Sequence, residues 1–125
     1  MLELRSGQSI DEAVLRQLLA DTSLASFREL LAGCRSELPA LVAAAGRAAA
    51  ARDLATLRRE AHSIKGIALT FGLISISEPA EAIEVACAAG QPEPALRLTA
   101  LLSERLPAAL IGLGRAAEAI RSRPS

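Results

Sequence analysis

Residues 60–72 read EAHSIKGIALTFG and contain His62, the only histidine of the chain. A lysine, Lys65, follows three residues later and a glycine, Gly66, four residues later. On a helix these spacings stack the three positions on one face. A neutral imidazole is a nucleophile as well as a base. A nearby ammonium disfavours the imidazolium form and so keeps the ring nucleophilic. The same ammonium would attract the oxygens of a phosphoryl group once the ring had accepted one. Gly66 is the odder neighbour, because glycine inside a helix costs about 1 kcal/mol relative to alanine. A missing side chain one turn beyond the histidine clears space for a large partner to approach. The plainer readings are a solvated lysine and a glycine kept for close helix packing.

The element that carries these residues is a helix over 54–71, capped by Asp53 and ended by Gly72. Its apolar stripe is Leu54, Leu57, Ala61, Ile64, Ala68 and Phe71, an alternating three-four spacing suited to a bundle seam. At about 100° per residue, His62 points roughly 130° away from that stripe and is expected in solvent. Gly66 also points away from it, which weakens the packing explanation. Ala55, Arg58, Arg59, Lys65 and Leu69 share the His62 surface.

Further helices are predicted around this one. Ser9 and Glu12 form a capping box for a short helix over 10–19, with Val14, Leu15, Leu18 and Leu19 inward. A break at 21–23 leads into a long helix to about 50, with Leu24, Phe27, Leu31, Cys34, Leu38, Leu41 and Ala45 inward and a kink at Pro39. Ser75 and Ser77 compete to cap a fourth helix over about 76–89. Ser77 is favoured because it leaves Pro79 in the first turn. Gly90 closes it, and a fifth helix over 93–120 carries Leu98, Leu102, Ala109 and Leu113 inward with a kink at Pro107. The tail 121–125 is expected to fray. Short connections make the long helices antiparallel neighbours. The expected fold is all-α, an antiparallel up-down four-helix bundle with a short additional N-terminal helix. It forms one domain over 1–125, with an ordered core of about 10–120.

Composition agrees with that fold and removes other functions. The 125 residues are 51% hydrophobic but only 2% aromatic, so the core must be aliphatic, and helices pack such a palette well. Fourteen basic and fourteen acidic residues cancel, and neither Trp nor Tyr is present. A nucleic-acid partner is therefore not expected, for want of both a positive field and a stacking platform. The longest apolar runs, 38–46 and 106–114, contain proline and fall well short of the about 20 residues that span a bilayer. The start, MLELRSGQS, lacks the basic-then-apolar pattern of a signal peptide, and a cytoplasmic location is expected. Cys34 and Cys87 are expected as buried free thiols. One histidine and two distant cysteines make a metal-binding bundle a poor alternative.

AHSIKG followed by TFG resembles the histidine-containing phosphotransfer (Hpt) domain, and most of all the phosphoacceptor domain of chemotaxis-type histidine kinases. The motif is a histidine with Lys at +3, Gly at +4 and Gly at +10, on the third of five helices. The helix pattern matches over about 10–120. The resemblance implies a phosphorelay intermediate in which His62 accepts the phosphoryl group on its outer ring nitrogen, Lys65 helps to hold that group and Gly66 gives the partner access. It implies that a glutamate on the following helix fixes the ring tautomer; by position this is Glu84, which otherwise reads as a solvated member of the row Glu78, Glu81, Glu84. The implied partners are receiver domains of response regulators and hybrid histidine kinases. The chain is expected to be monomeric and to meet them through Arg58, Arg59, Gly66 and Leu69 on the exposed His62 face. No cofactor is implied for the chain itself; magnesium is expected in the receiver. Such a protein is a carrier rather than an enzyme, since no nucleotide-binding loop is recognisable here. The chain departs from the family in Ile67 and Leu69, where small residues are common, and in Pro79 and Pro107. A kinase dimerisation domain would carry an acid directly after the histidine, where Ser63 stands. The alternative from another class is a non-catalytic helical adaptor that binds a receiver or kinase through the same face without being phosphorylated.

Overall fold

In the computed structural model, which describes residues 9–122, the chain forms five helices. They are α1 (Glu12–Asp21), α2 (Leu24–Ala50), α3 (Leu54–Thr70), α4 (Ile74–Ala88) and α5 (Pro92–Ser122). The described residues contain no strand beyond a single bridge between Ile10 and Leu73. α2 packs on α3 and α5, and α4 packs on the same two, so the four long helices close around one core; α1 lies against α2, α3 and α5. The segment expected to fray is helical through Ser122; its last three residues, like the first eight of the chain, lie outside the described ones.

The core is aliphatic, as composition requires. Phe27, Leu38, Leu57, Ile64, Leu73, Ile76, Ile83, Leu102 and Leu113 are wholly buried. Cys34 and Cys87 are buried free thiols, and desolvation raises both, Cys34 to about 11. Three inward assignments need correction. Leu24, in the first turn of α2, is exposed; Val42 is buried while its neighbour Leu41 is only half-buried; and Thr99 is buried where Leu98 is half-buried. Thr99 tolerates burial because its hydroxyl donates to the Ala95 carbonyl at 2.8 Å.

α3 begins and ends as its sequence signals. Asp53 caps it, accepting from the Thr56 amide at 3.1 Å. At the other end Gly72 takes φ 70°, with Leu73 N–H donating to Ala68 O at 2.8 Å and Gly72 N–H donating to Leu69 O at 3.3 Å. This is the left-handed helix stop that glycine favours.

The starts of α1 and α4 differ from expectation for one shared reason. Residues 9–11 run as a strap along the α3–α4 turn. Asp11 N–H donates to Gly72 O at 2.7 Å, and Ser75 N–H donates to Ser9 O at 3.2 Å. The backbone of Ser9 is thus spent on α4, and Asp11 rather than Ser9 caps α1, accepting from the Ala13 amide. α4 in turn needs neither Ser75 nor Ser77 as a side-chain cap. It starts at Ile74 with Leu73 in the cap position and no side-chain cap bond. Pro79 consequently lies inside α4 rather than in its first turn.

A proline inside a helix leaves the carbonyl four residues earlier without its amide. For Pro79 that carbonyl belongs to Ser75, and Arg105 of α5 donates to it from Nη1 at 3.1 Å. Arg105→Met should therefore destabilise the bundle by about 1–2 kcal/mol through the orphaned acceptor. A urea midpoint equal to wild type would show that water takes over the bond. α2 and α5 run unbroken through Pro39 and Pro107.

Candidate functional site

The roll of α3 decides what the site presents. Leu57, Ala61, Ile64 and Ala68 are fully buried. Each large aliphatic among them contributes about 1.5–3 kcal/mol by burial. Turning His62 inward would forfeit that, so the ring is held outward. Its side chain is 73% exposed.

α4 packs beside α3 and supplies Glu84, whose side chain is only 16% exposed. One carboxylate oxygen, Oε2, lies 2.9 Å from His62 Nδ1. The other, Oε1, is buried and lies 2.8 Å from Lys65 Nζ, an ion pair rather than a well-aligned hydrogen bond. Lys65 is itself only 24% exposed, so it is not the solvated charge of the plain reading. The three side chains form one line: ammonium, carboxylate, imidazole. Glu84 bridges the ammonium and the imidazole, a link that the sequence reading did not include.

Burial works to raise the Glu84 carboxyl, but the close Lys65 ammonium and the hydrogen bond with His62 outweigh it and hold it below the ordinary value of 4.5. The close Glu84 carboxylate raises Lys65, against partial desolvation. An ionised carboxylate only accepts, so the proton of a neutral His62 ring sits on Nδ1 and the lone pair on Nε2. The stabilisation from Glu84 is present above pH 4.5 and is lost as pH falls through its depressed folded value. That from Lys65 is present below its ordinary 10.5 and is lost as pH rises through its elevated one. The stability gap between wild type and Glu84→Gln should therefore shrink as pH falls below 4.5. A gap that fails to shrink below pH 4.5 in urea titrations would contradict this linkage.

The remaining sequence candidates fall into three neighbouring surfaces. Arg58 and Arg59 share with His62, Ser63 and Glu84 an open depression of about 690 Å³. Leu69 lies in a separate depression of about 460 Å³ with Lys65 and Val85. Gly66 faces a third, of about 410 Å³, between α2 and α3, beside Leu30 and Gly33. A methyl group built on Gly66 meets nothing within 4 Å, so close helix packing does not account for this glycine.

Sequence reasoning missed the exposed Val85 and Leu30 and the Arg105 tie. Val85 gives little signal, because α4 buries residues toward both α3 and α5 and its amphipathic pattern is faint. Arg105 was legible in principle: an internal proline implies a free carbonyl in need of a donor.

No helix among the described residues is long and apolar enough to cross a membrane. Neither the curated proteins nor the solved structures hold a significant match to the chain. Residues 29–119, however, match the family described as the Hpt domain, a stretch that runs from α2 into α5 and holds His62, Lys65 and Glu84 at its centre. With most of its length so matched, and with an exposed histidine on its third helix, the chain belongs to the Hpt domain family, whose members serve two-component signalling as phosphohistidine carriers.

Proposed function

We propose that the chain is a phosphorelay intermediate that accepts a phosphoryl group on Nε2 of His62 and exchanges it with the aspartate of response-regulator receiver domains. The observation that carries this reading is the 2.9 Å contact between Glu84 Oε2 and Nδ1 of a ring otherwise open to solvent. It leaves the outer nitrogen as the only basic one.

In the forward step the Nε2 lone pair attacks the phosphorus of an aspartyl phosphate in line. The P–N bond forms, the acyl P–O bond breaks, and the aspartate leaves as a carboxylate. The ring keeps its Nδ1 proton and becomes cationic, and no proton need be moved. Glu84 offsets that positive charge across the same hydrogen bond. Lys65 keeps Glu84 ionised and oriented, and adds positive field at the phosphoryl group. The reverse step returns the group to a second aspartate. Phosphoryl transfer through a loose transition state needs positioning and charge stabilisation above all. The receiver supplies the metal and the acid pocket; this chain supplies the nucleophile. Arg58, Arg59, Gly66 and Leu69 form the face on which the receiver docks.

The remaining finer features belong to the same reading. The four long helices run up and down in antiparallel order, the chain acts as one domain and as a monomer, and it works in the cytoplasm, where receivers and hybrid kinases are found.

The direct test is incubation with a phosphorylated receiver and magnesium. Acid-labile, base-stable label on His62 is expected. Stable binding without label would replace the carrier with the adaptor. Gly66→Leu should slow transfer from the receiver at least about tenfold, the scale of one misplaced bulky contact, while His62 remains exposed and the fold is unchanged by circular dichroism. Unchanged transfer would remove the access role from Gly66.

A further inference from the structure

We propose that the guanidinium groups of Arg58 and Arg59, rather than the Lys65 ammonium, hold the phosphoryl oxygens once His62 is modified. The inference rests on His62 as the phosphoacceptor and assigns the cation that meets its cargo.

Lys65 is already engaged. Its Nζ lies 2.8 Å from Glu84 Oε1, an oxygen that is buried and has no other partner among the described residues. Swinging Lys65 out to a phosphoryl group would orphan that oxygen, an expensive state for a charged acceptor. It would also release the carboxylate that holds the Nδ1 proton. Lys65 lines a different depression from the one that holds His62.

The arginines are placed differently. They stand four and three residues before His62 on α3, so they share its face. Helical side chains lean toward the helix N-terminus, which brings the His62 ring over their turn. All three line the same open depression, about 690 Å³ in volume, ample for a phosphoryl group. Among the described residues neither arginine is paired with a carboxylate. Arg58 makes no side-chain bond, and Arg59 makes only a 3.3 Å contact to Thr56 Oγ1. Glu84 is the one acid in the depression, and both its oxygens are directed to Lys65 and His62. A planar guanidinium matches phosphoryl oxygens in a two-bond fork that an ammonium lacks. The two arginines thus form an unspent anion site beside the nucleophile.

The test uses the whole chain and phosphoramidate, which delivers its phosphoryl group to an exposed imidazole with loss of ammonia. With a single histidine in the sequence, the product is unambiguous. The last ionisation of the bound phosphoryl group is then followed by ³¹P NMR in wild type, Arg58→Gln, Arg59→Gln, the double variant, Lys65→Gln, and Arg97→Gln on α5 as the remote control. Loss of one cation within about 5 Å should raise that pKa by about half a unit, and loss of both by more, with Arg97→Gln at the wild-type value. Arginine variants that titrate as wild type would overturn the proposal, as would a Lys65→Gln shift larger than that of the double variant. Circular dichroism confirms that each variant is folded. If phosphoramidate labels His62 but no phosphorylated receiver does, it is the phosphoacceptor role that fails, and the arginine result still stands or falls by its own titration.

Discussion

His62→Gln is expected to abolish acid-labile labelling by a phosphorylated receiver while changing the unfolding free energy by less than about 0.5 kcal/mol, the usual range for an exposed site. Both halves follow from one geometry. The ring is 73% exposed and contributes nothing to the core beneath it, which is held by Leu57, Ala61, Ile64 and Ala68. Glutamine keeps an amide N–H that can donate to Glu84, so the buried carboxylate is not left without its second partner. What disappears is the basic aromatic nitrogen, and the chain has no other histidine to replace it. Neither cysteine can substitute: both thiols are buried, and desolvation keeps them protonated. The measurement is radiolabel transfer beside a urea melt. Label that persists in the variant would move the phosphoacceptor elsewhere. A large loss of stability would mean that the ring carries structural weight not visible in its contacts.

The parts of this site written along one helix were legible in the sequence. The alternating spacing from Leu54 to Phe71 set the roll of α3, and the exposure of His62 and Gly66 followed by rotation alone. Asp53 and Gly72 marked its ends because a side-chain cap and a left-handed stop are local chemistry. The features that escaped all lie between helices. The start of α4 was misplaced to Ser77 because its first turn bonds to the backbone carbonyl of Ser9, brought there by the fold. Lys65 and Glu84 were each singled out, but for separate roles. That a single carboxylate would bridge the ammonium and the imidazole depends on the register of α4 against α3, which no periodicity encodes. Leu24 failed for a milder reason: it continues the stripe of α2 at a helix end where no neighbour remains to cover it.

Two glycines six positions apart should respond to alanine with opposite signs. Gly66→Ala is expected to stabilise the protein by about 1 kcal/mol, the helix-propensity difference, because the new methyl group enters open space. Gly72→Ala is expected to destabilise it by about 3 kcal/mol. Its φ of 70° costs an L-residue about 1–2 kcal/mol. Its Cβ would also fall 2.5 Å from the backbone oxygen of Asp11 and 3.2 Å from Val14 Cβ. Backbone cannot swing aside as a lysine tip can, so the strap of residues 9–11 must shift. The Asp11–Gly72 and Ser9–Ser75 bonds would weaken together, at about 1 kcal/mol each. For a domain of this size the melting temperature should fall by about 10–15 °C in one variant and rise by about 4 °C in the other. A neutral Gly72→Ala would show that the strap does not press on the turn; a destabilising Gly66→Ala would reveal a contact on a face that looks bare. The contrast also bears on chemistry. Gly72 is the joint between the helix that carries His62 and the helix that carries Glu84, so its replacement should disturb the 2.9 Å contact and slow transfer as well as folding. Gly66 has no such structural duty. That the fold would exchange Gly66 for alanine supports the proposal that this position is kept open for a docking partner.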